Sequence, residues 1–379
     1  DRKRKGLLYA GTESGMYVSF DDGGNWENFQ LNLPIVPITD LIIKDDDLVV
    51  ATQGRSFWIL DDLTLIQQLD RKQLEEDVVL FHPRPIYKIR GGRGRSSLTS
   101  GQNPDLGVPI QFYLRKSPVT DQKVTLSISD SSGAMIRTFS TDPNQDDKDA
   151  TMSVKEGFNR IVWNMRYPSA ESFEGLVLWA GGTNGPLAIP GNYRATLSVG
   201  EQQYQTSFEI VKDPRSPASS ADFESQLSFL LKLRDKLSET HLAIKKIRAI
   251  RKQITMLTGR MEKQKSGDTE SAKYQPILEA SKNLITKLNS VEEKLYQTKN
   301  QSPQDPLNFP IRLNNKLSAL AGVVGTGDYP PTAQAQMVFA EISAKIDVEL
   351  KTLSQIISQD AVRLNQMIQK QKVPAIFVD

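Results

Sequence analysis

The chain has no cysteine. That excludes disulfides, thiolate zinc sites and a cysteine nucleophile, and it leaves the redox compartment open. Histidine is almost as scarce. His82 and His241 are the two in the chain, and they stand far apart in sequence, which excludes a histidine-rich metal site built within it. No window approaches the run of about 20 apolar residues that a membrane helix requires. The opening residues, Asp1 to Lys5, are charged and lead straight into strand-like sequence, so no signal peptide is read there. Neither sign of charge dominates: 47 Lys and Arg against 45 Asp and Glu leave a net charge of +2. A global electrostatic case for nucleic acid therefore fails. Apolar residues make up 38% and charged residues 24%, as in ordinary globular proteins. The length of 379 residues leads to an expectation of two or three domains.

Against these absences stands Ser19-Phe20-Asp21-Asp22-Gly23-Gly24-Asn25-Trp26. Strand-like residues precede it, Leu7 to Ala10 and Met16 to Val18. A polar corner then reverses the chain, and Trp26 begins the return strand. Gly23 and Gly24 can take positive φ, and the short acidic side chains can bond the N–H groups of the turn. The reading is a hairpin turn that carries a buried tryptophan. The segment resembles the Asp-box of bacterial neuraminidase repeats and sortilin-type propellers, whose pattern is Ser-x-Asp-x-Gly-x-Thr-Trp. Ser19, Asp21, Gly23 and Trp26 fit it, and Asn25 replaces the usual Thr. The resemblance implies a structural turn in a propeller blade, with no catalytic, cofactor-binding or metal-binding role.

Residues 1–80 read as all-β, a partial β-propeller made of its last blades. Ile38 to Lys44 is a strand, Asp45 to Asp47 a turn, Leu48 to Thr52 the partner strand, and Gln53-Gly54-Arg55 turns into Ser56 to Leu60. Val50 to Asp62 also resembles the closing blade of bacterial sortilin-like proteins. A single blade cannot bury both faces of its sheet alone, so the chain is expected to be the C-terminal part of a longer protein. Residues 81–105 read as a linker, stiffened by Pro83 and Pro85 and loosened by Gly91-Gly92-Arg93-Gly94-Arg95-Ser96-Ser97.

Residues 106–213 return to strands at Val108 to Leu114, Lys123 to Asp130, Ala134 to Thr138, Gly157 to Asn164, Gly191 to Val199 and Tyr204 to Val211. Strands at this spacing point to a β-sandwich. Phe158 to Asn164 and Pro190-Gly191-Asn192-Tyr193 resemble the Ig-like fold of flagellar hook-capping proteins and related exported modules. After a linker at Asp213 to Pro217 the pattern changes. Ser219 or Ser220 can cap a helix beginning near Ala221. Apolar residues from Phe223 to Leu257 then fall largely on one helical face, and Gly259 to Thr269 breaks the pattern. A second stripe runs Ile277, Leu284, Leu288, Val291, Leu295. A short third helix carries Leu313, Leu317, Leu320 and Val324. A long final one from Thr332 carries Phe339, Ile342, Ile346, Leu350, Leu353, Ile357, Leu364 and Ile368. Residues 219–372 are thus expected to form a long antiparallel helical bundle, with Lys245, Lys246 and Arg248 mainly in water.

Each group that could carry chemistry has a plainer explanation. Asp21 and Asp22 are adjacent on a turn and point different ways. Asp45, Asp46 and Asp47 lack the alternating spacing of an EF-hand calcium loop. Asp142, Asn144, Asp146, Asp147 and Asp149 crowd oxygen ligands into one loop, a calcium candidate that an acidic loop explains as well. Gly91 to Ser96 lacks the Gly-Lys-Ser/Thr ending of a P-loop. Lys245, Lys246, Arg248, Arg251 and Lys252 read as a solvated helix face. Trp163, Tyr167, Trp179 and Tyr193 are candidates for a carbohydrate platform, or for core. His82, between Phe81 and Pro83, reads as a packing residue.

The expectation is a multidomain β plus α chain with no catalytic residue, cofactor or metal of its own. Phe309 to Leu317 and Val373 to Ile376 resemble the C-termini of large bacterial exported proteins labelled as glycosyl hydrolases with such repeats. The resemblances imply an extracellular or periplasmic, non-catalytic region for protein interaction or scaffolding. Its partner would be another protein or the remainder of its own propeller. The alternative is an accessory region of a glycoside hydrolase or carbohydrate-binding protein. No membrane span is expected, and nucleic acid is disfavoured.

Overall fold

A computed structural model describes residues 1–89, 101–119, 122–142, 150–263 and 268–373. The glycine–arginine stretch at 91–97 and the oxygen-rich positions 144–149 lie outside them. The chain divides into two compact units. The first is Asp1–Met165 with Ile189–Arg215, and it is all sheet apart from short helical turns. The second is Arg166–Ala188 with Ser216–Asp379, and its regular structure is helical. The architecture is β plus α.

The first unit begins with two antiparallel three-stranded sheets. One is β1 (Leu8–Thr12), β2 (Gly15–Ser19) and β3 (Glu27–Asn28). The other is β4 (Ile38–Lys44), β5 (Asp47–Thr52) and β6 (Phe57–Leu60). Strand side chains alternate between the faces of a sheet. Leu41, Ile43, Leu48, Val50, Trp58 and Leu60 therefore share one face, and they pack with Met16, Tyr9 and Phe29 of the first sheet and with Leu63 beyond β6. The sheets approach closely at Gly11, where an added Cβ would lie 2.4 Å from Ile38. No larger residue fits that contact without displacing the strand. A short helix, α1 (Thr64–Gln68), follows.

The segment expected to be a linker holds structure. β7 (Val78–Leu80) precedes it, and β8 (Ile86–Lys88) lies inside it and pairs in parallel with β14. Ordered backbone there needs partners for its N–H and C=O groups, and the edge of a distant strand supplies them, which no local sequence signal records. β7 joins β9 (Val108–Leu114) and β12 (Gly157–Trp163) in a three-stranded sheet of order β12-β9-β7. A five-stranded mixed sheet runs β11-β10-β13-β14-β8, with β10 at Val124–Asp130, β11 at Met135–Ser140, β13 at Gly191–Val199 and β14 at Gln202–Lys212. Trp163 of the smaller sheet is fully buried against Tyr193 and Phe208 of the larger one, with ring centroids 5.6 and 6.1 Å apart. Tyr193 Oη donates to the Ile189 carbonyl at 2.6 Å, which anchors the turn that enters β13.

In the second unit α2 spans Ser220–Lys263, 44 residues, or about 66 Å at the α-helical rise. It runs past Gly259, where the sequence pattern predicted a break. A single glycine costs a helix only about 1 kcal/mol, and Met261 beyond it is buried and holds the extension. The helix opens with a reciprocal cap: Ser219 Oγ accepts from the Asp222 N–H, and Asp222 Oδ2 accepts from the Ser219 N–H. α3 is Asp268–Leu295 and α4 is Leu313–Val324. α5 (Ala333–Gln355) is capped by Thr332, whose hydroxyl accepts from the Ala335 N–H. It continues through a π-helical stretch, Ile356–Ala361, into α6 (Val362–Lys370). The apolar stripes of α2 to α6 share one core that includes Ile247, Leu288, Leu317, Ile346 and Leu364.

Residues 166–188 leave one sheet strand and return to another, yet they belong to the helical unit. Ala170 and Phe173 enter the helical core. Trp179 exchanges two hydrogen bonds with Asn315. Tyr296 Oη donates to the Gly175 carbonyl. The segment forms no strand or helix, and its backbone is satisfied partly by its own loop bonds, such as Ala170 N–H to the Thr183 carbonyl, and partly by side chains of the helical unit.

Candidate functional site

Ser19, Asp21, Gly23 and Asn25 form one hydrogen-bonded turn. Ser19 Oγ donates to Asp21 Oδ1 and accepts from the Gly23 N–H, both at 2.9 Å. Asp21 Oδ1 also accepts from the Asn25 N–H at 2.7 Å, and Oδ2 accepts from the Asn25 side-chain amide at 2.6 Å. Asn25 thus grips both carboxylate oxygens. Asp22 and Gly23 carry the positive φ values, +61° and +89°. The Asn25 N–H, then its side chain and the Ser19 hydroxyl, pull the Asp21 carboxyl down to about 2. A carboxylate held ionised and occupied as an acceptor is poorly placed to donate a proton in catalysis.

Trp26 departs from expectation. It is not buried but 44% exposed. Its ring lies beside Gly23, where an added Cβ would stand 3.9 Å from it. The strand it leads into has two residues, Glu27 and Asn28, both exposed. Neither can close an apolar layer over the ring.

The other face of the β4–β6 sheet carries an uncovered apolar patch, flanked by Asp40 and Lys44 of β4. Ile42, Val49 and Ile59 stand in register across the three strands, with Phe57 opposite Ala51 beside them. Phe57 is 74% exposed, Ile59 58% and Ile42 56%. Both faces of this sheet therefore carry apolar residues, and among the described residues one face has a partner layer.

The remaining candidates disperse. Asp45 pairs with Lys44, Asp46 with Lys3 and Asp47 with Arg84, and the described residues hold no cluster of three or more metal-ligating side chains. His82 is exposed, and its peptide group is held by the Gln68 side-chain amide at both N–H and C=O. Trp163 and Tyr193 are core residues and present no stacking face to a sugar.

Arg248 is not mainly in water. Its guanidinium bonds Glu292 at 2.7 Å and lies over the ring of Phe173, 4.6 Å from the centroid. Arg251 takes the other Glu292 oxygen at 2.6 Å. The basic stretch thus splits: Lys245 and Lys246 are exposed while the two arginines neutralise a buried glutamate. Nearby, His241 is fully buried. Its Nδ1 donates to the Glu171 carbonyl, and Nε2 accepts from Asn314 Nδ2 at 3.2 Å, a pairing that the neutral Nδ1–H tautomer satisfies. Burial pushes its pKa below the ordinary value. The contacts to Glu171 and Phe173 leave no mark in the sequence, because residues 166–188 carry no periodicity to announce a helical partner, and the pairing of Arg248 and Arg251 with Glu292 depends on which helix faces meet.

No protein-family model matches the chain, and comparison with curated proteins and with solved structures likewise finds no match.

Proposed function

We propose that the chain is the non-catalytic C-terminal region of an exported, extracellular or periplasmic β-propeller protein, serving protein interaction or scaffolding. On this reading the two small sheets are propeller blades and the sheets around Trp163 an Ig-like sandwich, and the helices form a bundle. The observation that carries it is the uncovered apolar face at Ile42, Phe57 and Ile59, joined to an Asp-box turn one sheet away. An inner propeller blade needs two apolar faces, because sheets lie on both sides of it. Exposed apolar patches of this kind mark interaction surfaces. Among the described residues no helix is long and apolar enough to cross a membrane.

The test replaces Phe57 and Ile59 with lysine together. The unaltered chain is expected to bind a hydrophobic dye and to self-associate in sedimentation as its concentration rises. The doubly substituted chain should keep its circular dichroism and lose both properties. A monomeric, dye-silent parent chain would count against the reading. Saturable binding of a glycan would favour an accessory region of a carbohydrate-active protein instead. Turnover of an aryl glycoside, abolished by one carboxylate substitution, would overturn the non-catalytic assignment.

A further inference from the structure

The helical unit carries a cleft of about 350 Å³. Four cations line it: Lys294 from the last turn of α3, Arg312 and Lys316 at the start of α4, and Lys345 from α5. Two are balanced. Lys294 Nζ bonds Glu349 Oε1 at 2.9 Å, and Lys345 bonds Glu341 one turn away. Arg312 and Lys316 form no ion pair among the described residues. Glu349 does not serve them: it is nearly buried, one oxygen is held by Lys294, and the other receives no hydrogen bond. The cleft thus has two cationic groups in excess.

Three further features narrow the ligand. Arg312 is also the N-cap of α4, and no side chain caps that helix end. Asn314 and Asn315 turn instead to His241 and Trp179. The positive end of the helix dipole adds to Arg312 and Lys316 at the same wall, and the one carboxylate that feels Lys316, Glu341, is already bonded by Lys345. Ile311, Leu313 and Val348 line the cleft as well, and an inorganic ion gains nothing from them, so the ligand has a carbon body. The volume lies at the low end for small-molecule sites and matches one compact ligand group. We propose that this cleft binds a small organic dianion, a phosphate monoester or a dicarboxylate. Its charge would lie on Arg312 and Lys316 and its carbon body on the apolar wall.

Calorimetric titration of the full chain with phenyl phosphate and with phthalate tests this, with phenol and inorganic phosphate as comparisons. At least one dianion should bind saturably and more tightly than either comparison. Arg312→Ala and Lys316→Ala should each weaken it about tenfold, the loss expected for a charge-assisted hydrogen bond. Lys351→Ala, at an exposed position of α5 outside the cleft, should leave it unchanged, and circular dichroism should show all three variants folded. Binding of phenyl phosphate alone assigns a phosphate monoester, and of phthalate alone a dicarboxylate. No saturable binding by either probe, equal affinity for inorganic phosphate, or indifference to both α4 substitutions would overturn the proposal. The proposed function rests on the sheet unit and stands or falls separately.

Discussion

At the scale of single residues, hydrogen bonding sets the charge of the Ser19–Trp26 turn. Asp21 is held ionised by the Asn25 N–H first, then by the Asn25 amide and the Ser19 hydroxyl. Its folded pKa lies below its unfolded one, so the stability it contributes is present above the ordinary carboxylate range and is lost as pH falls through about 2. Carboxyl chemical shifts should therefore titrate Asp21 near 2, and Asn25→Ala should move it upward. Trp26→Ala should cost only about 1 kcal/mol, because roughly half of the ring never leaves water; chemical denaturation measures it. His241 works in the opposite chemical sense but with the same sign. Burial lowers its folded pKa below 6.5, so neutral His241 is fully stabilising above that value, and the contribution is lost as pH falls toward the folded pKa. Thermal unfolding of the helical unit should weaken as pH drops below 6.5, and His241→Gln should flatten that dependence.

At the scale of elements, residues 166–188 show how a segment without regular structure becomes part of a core. Phe173 packs edge-on against both His241 and Tyr296, with centroids 5.0 Å apart in each case, and beneath the Arg248 guanidinium. Phe173→Ala should cost about 3–5 kcal/mol, the range for a large aromatic removed from a packed site, and should loosen the segment as seen by faster hydrogen exchange at Glu171 and Val177. The regular elements were far more legible. β9 and β13 follow the alternation of their apolar residues closely, and the β4–β5 hairpin is marked by two short apolar runs around an acidic turn. The segment from Pro83 to Ile89 was not legible as a strand, because its prolines and short apolar content read as a connector while its hydrogen bonds go to a strand more than a hundred residues away.

At the scale of the molecule, two units with separate cores predict separable unfolding. Ile346 and Leu353 are buried in the helical core. Ile346→Asp or Leu353→Asp places a carboxylate where no donor waits, which should cost several kcal/mol or more. Helical ellipticity should melt at lower temperature while the near-ultraviolet signal of buried Trp163, a residue of the sheet unit, persists. Loss of both signals together would contradict independent cores. Residue order alone determined the strand and helix periods, the reversal at Ser19 to Trp26, the absence of cysteine chemistry and the change from sheet to helix near Ser219. These are local properties, set by alternation, caps and turns within a few residues. Tertiary structure alone decided that Trp26 stays partly in water, that Arg248 lies over a ring, that residues 166–188 join the helices, and that Arg312 and Lys316 meet in a cleft. Each of these depends on which surfaces meet across long stretches of chain, and burial and ion pairing are energies of those meetings, which no short window of sequence contains.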